Sequence, residues 1–141
     1  MSLLGRTTTA ALCLLTLFGI RPTSAQPMSM RFDIPFRFYV GDKVLSAGAY
    51  VVVLDRNVGY VELHNRKDYA FLTLYAKPAM RDGNYTALDG RLRFYRYGTT
   101  LVLKQVWMSG ELKGGLLQTS KAERVLAKMA PAQAVAEIAA R

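Results

Sequence analysis

With 141 residues, 19 Lys and Arg against 10 Asp and Glu, and a net charge of +9 at neutral pH, the chain has the length of one domain and a surface that favours anionic partners. One cysteine and one histidine exclude a disulfide framework and any metal site built from several thiolates or imidazoles.

The opening MSLLGRTTTAALCLLTLFGIRPTSAQ carries Arg6 in a short head, then an uncharged run over residues 7–20, then small residues ending at Ala25. That order reads as a secretory signal peptide over residues 1–25. The apolar run has 14 residues, short of the roughly 20 that a bilayer-spanning helix needs. A cleaved leader is therefore expected rather than an anchor, with the product periplasmic or secreted and no transmembrane segment left in the mature chain. Cys13 has no small residue just before it, which argues against lipid attachment. The mature chain is cysteine-free and keeps 17 basic against 10 acidic residues, a net charge of +7. It must rely on its core for stability, and a chain of this size buries roughly two-thirds of its unfolded surface.

From residue 30 to 109 the hydrophobic period is two. In MRFDIPFRFYV, Phe32, Ile34, Phe36, Phe38 and Val40 share one face, while Arg31, Asp33, Arg37 and Tyr39 share the other. This predicts one half-buried strand, with Pro35 marking a sheet edge or a bulge because it has no N–H. Turns follow at Gly41-Asp42 and Ala47-Gly48, and the stretch Tyr50 to Leu54 is apolar on both faces, as in a central strand. Further turn signals at Asp55-Arg56-Asn57, Arg66-Lys67-Asp68, Asp82-Gly83-Asn84, Asp89-Gly90 and Gly98 separate YVELHN, YAFLTLYA, RLRFYRY and TTLVLKQVW. The pattern predicts a mainly β fold, an antiparallel meander of six to seven strands forming a sandwich or open barrel over residues 26–118, with a C-terminal α-helix. That helix spans residues 119–130. Ser120 and Glu123 have the spacing of a capping box, and Ala122, Val125, Leu126 and Met129 form one apolar stripe expected to pack on the sheet. After Pro131, the Ala-rich residues 131–141 read as a short helical or disordered tail.

Catalytic chemistry finds little support. Glu62 and His64, two apart on a strand, share a face but lack a third metal ligand, and the reading is an outward polar face. No nucleophile motif or phosphate loop is present. The aspartates at 42, 55, 68, 82 and 89 all fall in or beside turns, where a carboxylate bonds its own backbone. No catalytic, cofactor-binding or metal-ligating residue is assigned, and no cofactor is expected. Asn84-Tyr85-Thr86 has the form of a glycosylation acceptor. In the basic-aromatic stretch from residue 91, Arg91, Arg93, Tyr95 and Tyr97 project from one face and Leu92, Phe94 and Arg96 from the other. These four residues are the candidate binding face. The alternative is an ordinary solvated sheet surface. Nucleic acid is an unsuitable partner for an exported protein; an anionic envelope component, a saccharide or a lipid suits the same side chains.

The sequence from FDIPFRFYVGDKVLSAGAYVV through RFYRYGTTLVLKQVWMSG to SKAERVLAK, about residues 32–128, resembles a group of short exported β-rich proteins of soil bacteria of the acidobacterial kind. The shared marks are the opening strand of alternating aromatics, a G-x-x-L-x-A-G-x-Y turn, a Tyr-Gly hairpin leading to Gln-Val-Trp, and a late Ser-x-x-Glu-Arg helix. The resemblance implies export and a β fold, and it carries over no activity and no functional residue. The expected function is an exported non-enzymatic binding or envelope-associated module. The alternatives are a small carboxylate-dependent hydrolase acting on glycans and a lipid carrier with a β-barrel cavity.

Overall fold

The computed structural model describes residues 26–65, 67, 70–81 and 89–141. The leader read in residues 1–25, Arg66, Asp68, Asp82 and the Asn84-Tyr85-Thr86 acceptor lie outside them. The elements, in chain order, are β1 (Met28–Ile34), β2 (Phe38–Val40), β3 (Lys43–Leu45), β4 (Gly48–Asp55), β5 (Tyr60–Asn65), β6 (Ala70–Met80), β7 (Arg91–Tyr97), β8 (Thr100–Trp107), β9 (Lys113–Leu117), α1 (Lys121–Met129) and β10 (Ala132–Ala139). The fold is mainly β with one helix near the C-terminus, as the period-two pattern implies, and its sheet is mixed and open.

Strand order departs from a simple meander. Strands β4, β5 and β6 do follow one another as antiparallel neighbours, with β1 flanking β4. β9 then inserts between β6 and β8, and β8 forms a hairpin with β7. Gly98 turns that hairpin at φ +62°, a left-handed conformation that glycine adopts without steric cost. The edge of β8 opposite β7 is shared between β9, at Gln105 and Val106, and β2, which pairs there in parallel through Tyr39 and Val102. The ends of this circuit approach each other, because the Arg141 N–H donates to the Arg31 carbonyl at 3.1 Å. No ladder joins β1 to β10 among the described residues, so the barrel stays open.

Three expectations are corrected. The strand predicted across MRFDIPFRFYV is two strands, since residues 35–37 leave the ladder and let the chain pass from β4's neighbourhood to β8's. Proline has no N–H to give a ladder, so the break falls where the backbone loses least. The tail read as helical or disordered is strand β10, paired antiparallel with β7 over residues 132–139. Alanine favours helix only weakly, and the unpaired edge of β7 offers a row of donors and acceptors that outweighs this local preference. The third correction concerns α1. Only part of its stripe packs: Ala122 and Leu126 are half-buried, Val125 is 58% and Met129 79% exposed, and the buried residue of the helix is Glu123.

The core gathers the inward set of both halves: Phe32, Ile34, Phe38, Val40, Tyr50, Val52, Leu63, Leu92, Phe94 and Val106 are all at most 1% exposed. Phe94 meets Phe36 and Phe38 edge-on, with centroids 5.0 and 5.4 Å apart, and Phe38 meets Tyr50 in the same way at 5.5 Å. Such edge-to-face contacts add to area burial and fix the relative seats of β2, β4 and β7. On the outer side of β8, Trp107 lies under the Arg81 guanidinium at 5.4 Å. Arg81 also donates to the carbonyls of Asp89, Met108 and Glu111, tying β6 to the loops that flank β7 and β9. No helix of the described residues is long and apolar enough to cross a membrane.

Candidate functional site

Of the four residues Arg91, Arg93, Tyr95 and Tyr97, the two arginines spend their charge largely within the molecule. Arg91 and Arg93 both reach Glu137 of β10, at 2.9 Å each, and Arg93 also donates to Gln105 of β8 at 3.1 Å. Burial alone raises the Glu137 pKa, but the bonds from Arg93 and Arg91 outweigh it and hold the carboxyl below the usual range. Tyr95 is half-buried. Tyr97 is not on an open surface at all, being 7% exposed under α1.

Tyr97 belongs instead to a buried polar cluster. The register between β7 and β8 slips after Arg93, so that Lys104 is an extra residue in β8 and its ammonium turns under the helix. Glu123 accepts from the Lys104 ammonium and from the Tyr97 hydroxyl, each at 2.7 Å, and Lys104 also donates to Thr119 at 2.9 Å. Burial first, then the bond to Glu123, pushes the Tyr97 phenol up to about 12. The helix start is fixed from two sides: Ser120 accepts from the Glu123 N–H at 3.0 Å, and the Asp42 carboxylate from the Ala122 N–H at 2.8 Å.

The remaining acidic groups are equally committed. Asp55 caps its own turn through the N–H groups of Asn57 and Val58, Glu62 meets His64 at 3.1 Å, Glu111 forks onto Arg56, Asp33 meets Arg141, and Asp89 meets Arg91. Each described carboxylate therefore has a partner. No group of three or more His, Cys, Asp or Glu residues able to hold a metal occurs among the described residues. Several cations have no such counter-charge among the described residues; two of them, Lys77 and Lys113, lie at a cleft, and three more on α1.

The cleft arises from an offset in pairing. β6 binds β5 through residues 70–75 on one edge and β9 through residues 76–80 on the other. The last bond on the β5 side is from the Ala76 N–H to the Gly59 carbonyl, at 2.9 Å. Beyond it no described residue pairs with the β5 side of β6, and alternation points the backbone of Pro78 into the gap. Proline leaves no stranded donor there. The opening, about 290 Å³, is lined on one side by residues 54–57 and Gly59, and on the other by Ala76, Lys77, Pro78, Lys113, Gly114 and Gly115. Its floor is apolar, from Leu54, Ala76 and Pro78. Its rim is basic: Lys77 and Lys113 are exposed, and Arg56 is held at the mouth by Glu111 at 2.7 Å. Gly114 and Gly115 are buried because nothing larger fits. A Cβ on Gly114 would run into the Trp107 ring and the Val106 carbonyl, and one on Gly115 would press on Leu54 and Ala76.

Sequence reasoning names neither the cleft nor the Lys104–Glu123–Tyr97 cluster. The visible signals are Pro78 inside an otherwise strand-like run and the paired glycines at 114 and 115. Compared with protein-family models, curated proteins and solved structures, the chain matches none.

Proposed function

We propose that the protein is an exported, non-enzymatic binding module of the cell envelope, and that the open-edge cleft is its site. The ligand is a small anionic group on a compact ring-like body, an acidic sugar unit of an envelope polymer being the best fit. The observation that carries this is the pairing of an apolar floor with Lys77 and Lys113, two exposed cations at the rim with no ion pair among the described residues. A volume of about 290 Å³ lies at the lower end of small-molecule sites, about 300–1,000 Å³, and suits a ring with its acid group rather than a whole lipid. The filled interior, with Phe32, Phe38 and Phe94 fully buried, favours this reading over a lipid carrier. The structural employment of the described carboxylates favours it over a two-carboxylate hydrolase. Export rests on the leader, and the exported protein is expected to start at Gln26 by intact mass.

Calorimetry with an oligomer of hexuronic acid, and with the matching neutral hexose oligomer, tests the assignment. The acidic oligomer is expected to bind, more weakly as salt rises, with the double substitution Lys77→Glu and Lys113→Glu lowering affinity by at least about tenfold. Equal binding of the neutral oligomer, indifference to both substitutions, or turnover of the oligomer would each defeat it.

A further inference from the structure

The outward arc of α1 carries three exposed cations with no ion pair among the described residues, and from it we infer that this helix is a docking face for an anionic lipid surface. The inference does not depend on what fills the cleft.

Residues 121, 125 and 129 follow one another at four-residue intervals, so Lys121, Val125 and Met129 line up along the helix, with Arg124 and Lys128 beside them. All five are exposed, Met129 at 79% and Val125 at 58%. The three basic side chains form no ion pair among the described residues, because the only acid in the helix, Glu123, is turned inward to Lys104 and Tyr97. The neighbouring turn extends the basic field. Asp42 spends its carboxylate on the helix N-terminus, which brings the exposed Lys43 alongside.

A nine-residue helix is far too short to hold together free in water. Here the order is supplied beforehand: the capped first turn and the buried Glu123 contacts mount it rigidly, so docking does not have to meet the cost of folding it. The chemistry of the arc selects the partner. Cations attract any polyanion, but exposed Val125 and Met129 gain nothing from a hydrated acidic polysaccharide. They gain from the headgroup and acyl boundary of a bilayer, where apolar side chains leave water while flanking Lys and Arg meet lipid phosphates.

Co-sedimentation of the protein with phosphatidylglycerol-containing vesicles, set against pure phosphatidylcholine vesicles, is the test. Binding is expected to the anionic vesicles alone and to weaken with salt. Lys121→Glu, Arg124→Glu and Lys128→Glu together are expected to reduce it by about a hundredfold or more, given the surface attraction of each lost cation. Val125→Ser with Met129→Ser is expected to weaken it while leaving its salt dependence. These side chains are exposed, so unchanged circular dichroism and urea midpoints identify variants that remain folded. A Met129→Trp variant is expected to shift its emission to the blue on adding anionic vesicles. Equal binding to both vesicle types, no loss in the charge-reversed protein, or an unshifted tryptophan would overturn the inference. So would binding to an acidic polysaccharide that depends equally on Val125 and Met129.

Discussion

The Glu123 carboxylate answers to two donors at once, the Lys104 ammonium and the Tyr97 hydroxyl, at 2.7 Å each, in a site where Glu123 is 2% and Lys104 7% exposed. Removing one partner of such a pair strands the other. Glu123→Leu is expected to cost about 3–5 kcal/mol in urea unfolding, and adding Lys104→Met is expected to recover most of that loss. The same cluster sets an alkaline limit. Tyr97 is pushed up to about 12 in the fold from the ordinary phenol value of 10.0. Its contribution to stability is complete below about pH 10 and disappears as pH rises toward 12, because there the unfolded chain releases the proton that the folded one keeps. Ultraviolet titration is expected to show a tyrosine ionising near pH 12 that is absent in Tyr97→Phe. None of this is legible at residue level beforehand. Ser120 and Glu123 announce a helix start correctly, but a capping-box glutamate and a buried one look alike until the bulge at Lys104 is known, and that bulge depends on pairing between strands.

At the scale of elements, most strands are legible because half-buried strands write their period into the chain. The core phenylalanines at 32, 38 and 94 and the Gly41 and Gly98 turns all fall where alternation and turn chemistry put them. What the pattern omits is decided by neighbours. β10 is a strand because β7 has an edge to fill, and α1 buries Glu123 against Lys104 while Val125 and Met129 of its apolar stripe stay exposed. The cleft has the same origin, an offset of partners along β6 that no single segment encodes. β9 offers the sharpest check on this packing. Gly114→Ala is expected to destabilise by about 1–3 kcal/mol through overpacking against Trp107, and to alter the tryptophan emission of the folded protein.

For the molecule as a whole, the unequal charge count becomes a map. With 17 basic and 10 acidic residues after position 25, and the described acids paired within the molecule, part of the surplus surfaces on the cleft rim and on α1. The sequence therefore reveals that anionic partners are favoured, though not which residues face them, since Arg91 and Arg93 look free until Glu137 is brought beside them. The near-closure of the barrel bears on time as well as shape. β1 and β10 lie far apart in the chain, yet the Arg141 N–H bonds the Arg31 carbonyl, and β7 has an unfilled edge until β10 arrives. Contacts so distant in sequence slow folding, and refolding followed by Trp107 emission is expected in the range of about milliseconds to seconds. A chain still being synthesised lacks its closing strand. Under the export proposed above, that delay would keep the polypeptide threadable through a membrane pore until its last strand is made.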